Sequence, residues 1–378
     1  MSGLRLLQTE CSPHWGGQAL RTLVESCELA RRGHRVWIAA PKSALLSRAR
    51  RGGLPTLELP TRGSFNPRAT LKVWNLVRRE RIDLIHCHGS ADHWACFPLR
   101  ALGVPLVRWR HISSPVPRHL SRSFIYRHGS ERVIATSADI ARALIGRNGV
   151  NPRKVEVLLE GIDPARFDPG TPGEPLRREL GLDNGAFVFG TVAMLRPEKG
   201  HAHFIEAAAS VAAADPRARF LIVGEETVRG AVRPHIEARL DELGLTGRVI
   251  FTGYREDVPA VLAALDALVV MSTAVEGVTR VIPEAFFMRK PVVATGVCGL
   301  PELVRHEVTG LLVPPGDAAA AAAAMRRLME EPELSSRVAQ AGHELARRRL
   351  SLAAIVDRIE AIQQDVLRQA SRRPRFRL

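Results

Sequence analysis

Two glutamates eight positions apart, Glu276 and Glu284, flank the start of a helical stretch that follows the apolar run ALVVMS (267–272). Carboxylates placed there can accept hydrogen bonds from the neighbouring hydroxyls of a sugar, which a single carboxylate grips in bidentate fashion. On spacing alone the plainer reading wins: a loop acid at Glu276 and a first-turn acid at Glu284 favoured by the helix dipole. A second cluster, Gly190-Thr-Val-Ala-Met194-Leu-Arg196-Pro-Glu-Lys199-Gly200-His, follows another strand-like run. Its two cations at a strand-to-helix turn suit a diphosphate leaving group, on which charge grows as a glycosidic bond breaks. A solvated turn with a helix-capping glycine is the plainer reading of the same string.

Three features of the first half have a similar character. Gly16-Gly17 follows the first apolar run and opens a helix, where bare backbone N–H groups can approach phosphate or an acceptor. His88 closes DLIHCH (83–88) and His111 follows PLVRWR (105–110), each at the carboxyl end of a strand-like run. An isolated histidine is more often a satisfied structural residue than a catalytic one. His86/His88 and His201/His203 have metal-ligand spacing, but no carboxylate partner stands beside either pair in sequence. There is no Asp-x-Asp to hold a Mg²⁺-nucleotide.

The elements that position these residues alternate nearly throughout. Short β-rich runs at 4–8, 34–40, 54–59, 83–88, 105–110 and 132–137 are separated by stretches with three- and four-residue apolar spacing, such as 18–33 with Gly33 as its cap. The pattern restarts at 186–195, 219–224, 248–253, 267–272, 291–295 and 310–315, with helices expected near 201–214, 230–243, 256–264, 280–288 and 317–330. Two further helices are expected over 334–369. Alternation of this kind gives parallel sheets covered on both faces. The Pro- and Gly-rich segment 160–175 suits a linker. The expected fold is therefore α/β, two Rossmann-like doubly wound domains facing a central cleft. The domains are 1–165 and 166–345, and 346–378 is a C-terminal helix crossing back to the first, with a basic tail. Ligands in such sheets sit beyond the carboxyl ends of the strands, so the residues just after each strand are the candidates.

The stretch from Glu276 to Glu284, continuing through Pro291-Val-Val-Ala294-Thr, Gly299-Leu-Pro-Glu302-Leu-Val and Thr309-Gly-Leu-Leu-Val-Pro-Pro-Gly316-Asp317, resembles the Glu-x7-Glu signature of the retaining family 4 glycosyltransferases, which have the glycosyltransferase-B fold. The resemblance implies that Glu276, with Gly277, Val278 and Thr279 beside it, contacts the donor sugar and that Glu284 binds the ribose hydroxyls. It implies that Lys199 binds the diphosphate. The family's usual Arg aligns with Met194, so Arg196, two residues later, takes that role only if its side chain reaches the ligand. His111 corresponds to a functional His near donor sugar and acceptor, and His88 lies in a segment like the family's His-x-His, an acceptor-side candidate. Gly16 and Gly17 belong to the donor site on the same grounds. The base is expected along Phe251–Asp257, including Tyr254, read by backbone groups that do not name it. The family's enzymes need no metal or other cofactor, and transfer with retention is implied, by same-face attack assisted by the leaving phosphate. The stretch 108–118 (RWRHISSPVPR) resembles enzymes of lipopolysaccharide and other cell-surface glycan assembly, implying a glycan or lipid-linked acceptor.

Composition bounds the rest. With 46% apolar and 25% charged residues, the 378-residue chain is that of a folded protein long enough for two cores. Five scattered cysteines (11, 27, 87, 96 and 298) with no Cys-x-x-Cys argue against a disulfide framework or zinc finger and for a reducing compartment. The N-terminal apolar stretch is too short for a signal peptide, and no run nears the roughly 20 apolar residues of a spanning helix. A cytoplasmic protein is expected. The net charge of +15 is uneven: residues 1–165 hold 26 basic and 12 acidic side chains, whereas 166–367 hold 23 and 27. The basic half suits an anionic membrane surface, through Lys42–Arg51 with Leu45 and Leu46, and through Arg118, Arg122 and Arg127 beside Phe124, Ile125 and Tyr126. Arg-rich codon bias explains the same count. A nucleotide-sugar epimerase of the same fold is an alternative, marked by donor consumption without transfer. A nucleic-acid-binding protein is another, but no recognised motif is present and Trp and Tyr total only seven. If Glu276 meets the reacting sugar, Glu276→Gln should lower kcat on the order of 10²-fold without changing the melting temperature; near-normal turnover would remove it from the site.

Overall fold

The structure, a computed structural model, describes residues 3–60, 66–114, 116–117, 120–183, 185–226, 232–274 and 279–372. The chain divides into two compact units, 1–161 with 352–378, and 162–351. These boundaries replace the expected 165/166 and 345/346. The return to the first unit waits until Ser351, because the Ile162 N–H donates to Leu350 O and Ile162 bridges to Ser351.

In the first unit the chain runs β1 (Arg5–Thr9), α1 (Gly17–Arg31), β2 (Arg35–Ala40), α2 (Ala44–Arg51), β3 (Thr56–Glu58), α3 (Pro67–Glu80), β4 (Leu84–Cys87), α4 (Ser90–Ala101), β5 (Leu106–Arg110), α5 (Leu120–His128), β6 (Arg132–Ala135), α6 (Ala138–Gly146) and β7 (Val155–Val157). The strands form one parallel sheet in the order β3-β2-β1-β4-β5-β6-β7. β7 is not among the strand-like runs read from sequence; it is three residues of VEV that pair with Val133–Ala135. Local chemistry sets several helix starts. The Asn66 side chain accepts the Arg68 and Ala69 N–H groups ahead of Pro67, and Ser137 accepts from Ile140 N.

The second unit contains α7 (Glu174–Glu179), β8 (Phe187–Val192), α8 (His201–Ala214), β9 (Ala218–Val223), α9 (Arg233–Glu242), β10 (Val249–Gly253), α10 (Val258–Ala264), β11 (Ala267–Val270), α11 (Val281–Phe287), β12 (Val292–Thr295), β13 (Leu311–Val313), α12 (Ala318–Glu330) and α13 (Pro332–Arg349). Its parallel sheet has the order β10-β9-β8-β11-β12-β13. Strand order reverses direction at β1/β4 in one unit and at β8/β11 in the other, the places where doubly wound sheets open a crevice.

The last helix, α14 (Leu352–Ser371), belongs to the first unit. Leu352, Ile355, Val356, Ile359, Ile362 and Val366 recur at three- and four-residue spacing and are buried with Leu6, Leu29, Ile38, Val107 and Trp109. At its polar edge Arg32 pairs with Asp357 and Glu360, and Arg132 with Asp365. Without α14 this face of the first sheet would expose its apolar residues to water. No helix among the described residues is long and apolar enough to cross a membrane.

Candidate active site

The two switch points carry the polar residues that the sequence singled out. In the first unit, Gln8 on β1, His86 and His88 on and after β4, and Trp109 and His111 on and after β5 project from one face of the sheet, because side chains two apart share a face. His88 Nδ1 lies 2.9 Å from His111 Nε2, and His88 Nε2 lies 2.8 Å from Gln8 Oε1. The rings of Trp109, His88 and His111 stack with interplanar angles of 5–19°. Arg21 of α1 lies over the Trp109 ring, 4.8 Å from its centroid. The Trp109 indole N–H donates to His86 Nδ1 at 2.9 Å, and the Gln363 carboxamide of α14 is 3.1 Å from His86 Nε2.

His88 is 3% exposed, whereas His111 is partly open to solvent. The turn bearing His88 is clamped from both sides. Asp92 accepts the N–H groups of His88 and Gly89 and the Thr9 hydroxyl. The buried Arg108 guanidinium donates to Cys87 O, Gly89 O and the Tyr126 hydroxyl. Burial pushes the His88 and His111 pKa values well below the usual imidazole range, and Arg21 and Arg108 push both in the same direction. His86 and His93 are pushed down to about 3 by burial. Each of these rings is neutral at pH 7.

Beside this group the loop after β1 leads to Gly16 and the N-terminus of α1. Glu10, buried at the end of β1, accepts the N–H groups of Cys11 and Ser12 and the Gln18 amide, which fixes the loop. Burial and the nearby Asp92 raise its pKa. The sequence reading missed Glu10 and Gln8; a polar residue at the carboxyl end of an otherwise apolar strand was the available signal. A Cβ on Gly16 or Gly17 would meet nothing within 4 Å. The first turn of this 15-residue helix has no acidic residue, and Gly16 supplies no side-chain cap. Its N–H groups and dipole suit an anion.

In the second unit, the turn after β8 ends in Gly200, with φ +69°, where a Cβ would stand 1.8 Å from Met271 O. Only glycine permits that approach, which brings the turn against the segment leaving β11. Thr273 N donates to Glu198 O at 2.9 Å, closing the contact. Lys199, half-buried, immediately precedes Gly200 at the head of α8. Arg196 lines a cavity of about 430 Å³ with His201, Ile205, Val232, His235 and Arg239, against α8 and α9, and lies 3.9 Å from Glu198.

Glu284 sits in the first turn of α11, 6% exposed, and accepts from Arg280 Nε at 2.8 Å. Thr279 is half-buried just before it. Glu276, Gly277 and Val278 lie outside the described residues. Tyr254 is 49% exposed after β10, beside Arg255, which bridges Glu179 and Asp257. Among the described residues no group of three or more His, Cys, Asp or Glu could hold a metal ion.

Residues 173–345 match the family described as glycosyl transferases group 1, and residues 15–166 that described as glycosyltransferase family 4. The chain is 30% identical to the alpha-D-kanosaminyltransferase of Streptomyces kanamyceticus, over 92% of this chain and 98% of that one. It is 25% identical to the UDP-Gal:alpha-D-GlcNAc-diphosphoundecaprenol alpha-1,3-galactosyltransferase of Escherichia coli, over 71% and 72%. Among solved structures, Anabaena HepE in complex with UDP matches with a TM-score of 0.83 at 26% identity, over 96% of this chain and all of that one. The chain belongs to the group 1 glycosyltransferases and has their glycosyltransferase-B fold. It is an enzyme of glycosyl transfer.

The depressed histidines set an acid limit on stability. A histidine neutral in the folded state but titrating near 6.5 when unfolded leaves the unfolded chain with more bound protons below that pH, so stability falls as pH drops. His86, His88, His93, His111 and His201 share this sense, the last pushed down to about 4 by burial and Lys199. Each can cost up to about 1.4 kcal/mol per pH unit below 6.5. The raised pKa of Glu10 acts oppositely but is a single group. The melting temperature should therefore fall steeply between pH 6.5 and pH 5; a flat profile there would mean that the rings are solvated.

Proposed function

We propose that the protein is a retaining, metal-independent glycosyltransferase whose 162–351 unit binds a nucleotide-sugar and whose other unit takes a glycan or lipid-linked acceptor. The observation that carries the reading is the turn after β8: Gly200, pressed on Met271 O, sets Lys199 and the head of α8 at the β8/β11 switch point. Lys199 is assigned to the diphosphate, where a cation neutralises the charge that grows on the leaving group. Glu284 is assigned to the ribose hydroxyls, with one carboxylate oxygen already oriented by Arg280. Glu276 is assigned to the donor sugar and His111 to the reacting sugar. HepE, bound to UDP in one structure and to UDP-glucose in another, supports a nucleotide-sugar as donor. The E. coli relative, named for a diphosphoundecaprenol-linked substrate, supports a lipid-linked acceptor. Arg196, which lines the cavity against α8 and α9, is assigned to the phosphate only if its side chain reaches the ligand.

The acceptor assignment extends to a membrane surface. The first unit, with α14, carries 32 Lys and Arg against 14 Asp and Glu. Four of the apolar residues expected for it are corrected. Leu45 and Leu46 of α2 are buried under β2, and Ile125 and Tyr126 of α5 are buried in the core, because the inward faces of both short helices take their apolar residues. Phe124 is 45% exposed, edge-on to Phe97, which is edge-on to Trp94, and Ile112 is 50% exposed. Arg122 is exposed beside Phe124, and Arg118 lies outside the described residues. Basic residues near an anionic surface contribute about 1 kcal/mol each, and exposed aromatic rings add to that.

Two measurements test these assignments. In excess EDTA, calorimetry should show nucleoside diphosphate binding that Lys199→Ala weakens at least about 10-fold, the scale of one lost charge-assisted contact; unchanged affinity in that variant would sink the phosphate assignment, and binding restored only by Mg²⁺ the metal-free one. Co-sedimentation should favour anionic over neutral liposomes and fade with salt; equal pelleting with both would exclude electrostatic docking.

A further inference from the structure

The side chains around His111 form a directed chain of hydrogen bonds. His88 is neutral and 3% exposed, so it cannot itself touch a ligand. Its Nε2 faces Gln8 Oε1 at 2.8 Å, and a carboxamide oxygen only accepts, so the His88 proton is on Nε2. His88 Nδ1 is then an acceptor. The Thr22 hydroxyl, 3.4 Å away, already donates its proton to Gln18 O. The donor to His88 Nδ1 is therefore His111 Nε2, at 2.9 Å. A neutral imidazole has one N–H, so the other ring nitrogen of His111 keeps a lone pair.

We propose that Gln8 and His88 are positioning residues for His111, fixing its proton on Nε2 so that Nδ1 accepts a hydrogen bond from a sugar hydroxyl. The proposal rests on the assignment of His111 to the reacting sugar. It also explains why two histidines and a glutamine, each costly to bury, share one face of the sheet: every contact in the relay is satisfied. The groups facing the pair reinforce the neutral form. Arg21 from α1 and Arg108 and Arg110 from β5 are cationic, and His86 from β4 is neutral. The relay ends at a neutral amide rather than a carboxylate. His111 therefore lacks the anionic partner that would make it a strong base, and it serves as an acceptor and orienter of the hydroxyl.

Long-range ¹H–¹⁵N spectra of ¹⁵N-histidine-labelled protein read the tautomer without substrate, with His111→Asn and His88→Asn used only to assign the rings. The expected result is a proton on Nε2 of both His111 and His88; a proton on Nδ1 of His111 overturns the proposal. Gln8→Glu keeps an acceptor facing His88 but makes it anionic, which favours the protonated pair. Its kcat should fall as pH drops from 8 to 6, because protonation at Nδ1 removes the accepting lone pair, while the native enzyme stays flat over that range. Gln8→Leu should release the tautomer and lower kcat by up to about 100-fold, the scale of a misplaced contact, with the KM for donor changed far less. An unchanged tautomer and unchanged kcat in Gln8→Leu would overturn the relay. If transfer itself were absent, the spectra of the native protein would still decide the relay, so the two failures are distinguishable.

Discussion

The fully buried guanidinium of Arg108 anchors the first unit's site. A charge removed from water costs several kcal/mol unless it is paired and hydrogen-bonded. The two terminal nitrogens of Arg108 offset part of that cost by donating to the carbonyls of Cys87 and Gly89 and to the Tyr126 hydroxyl, while its Nε has no hydrogen-bond partner among the described residues. Asp92, close by, holds the N–H groups of the same turn. The turn after β4 therefore has one arrangement available to it. His88 inherits its position from that turn, and His111 and Trp109 stack against His88. Through Trp109 and His86 the order reaches Gln363, so the last helix of the chain supports the same site.

The second unit solves a similar problem with backbone rather than buried charge. Its turn after β8 is fixed by Gly200 against Met271 O and by the Thr273 N–H on Glu198 O. These contacts are short and need no side chain, and they hold the head of α8 at the switch point. The Arg280–Glu284 pair, both residues largely buried, ties the residue before α11 to its first turn. An Arg–carboxylate pair in that setting is as much an orienting device as a stabilising one.

The units also differ in charge in a way that fits the proposed division of labour. The excess of basic residues is confined to the unit assigned to the acceptor, whereas the donor unit carries 22 basic and 25 acidic residues. A near-neutral unit, as proposed for the donor, would bind a diphosphate by local geometry. The basic unit would act at longer range, steering towards an anionic surface before any contact forms.

Much of this was legible in the sequence, for a definite physical reason. Short continuous apolar runs alternating with 3.6-period stretches imply a parallel sheet covered on both faces, and ligands of such sheets sit beyond the strand carboxyl ends, so Lys199, Glu284, His88 and His111 could be placed after strands from sequence alone. Spacing could not say which way a side chain turns at those exits. Arg196, three residues before Lys199 on one short turn, lines a cavity against α8 and α9 that no spacing announced. Leu45 and Leu46 looked adjacent to a basic face and are core, since burial on a short helix depends on what packs above it. The three-residue strand β7 exists only through its pairing with Val133–Ala135 of β6, and the α14 contribution to the first core rests on contacts with residues as distant in sequence as Leu6 and Trp109. Gln8 and Glu10 had no motif to announce them. Their roles come from neighbours on other strands and loops, and only the tertiary structure, which brings β1, β4 and β5 side by side, turns a glutamine and two histidines into one hydrogen-bonded relay.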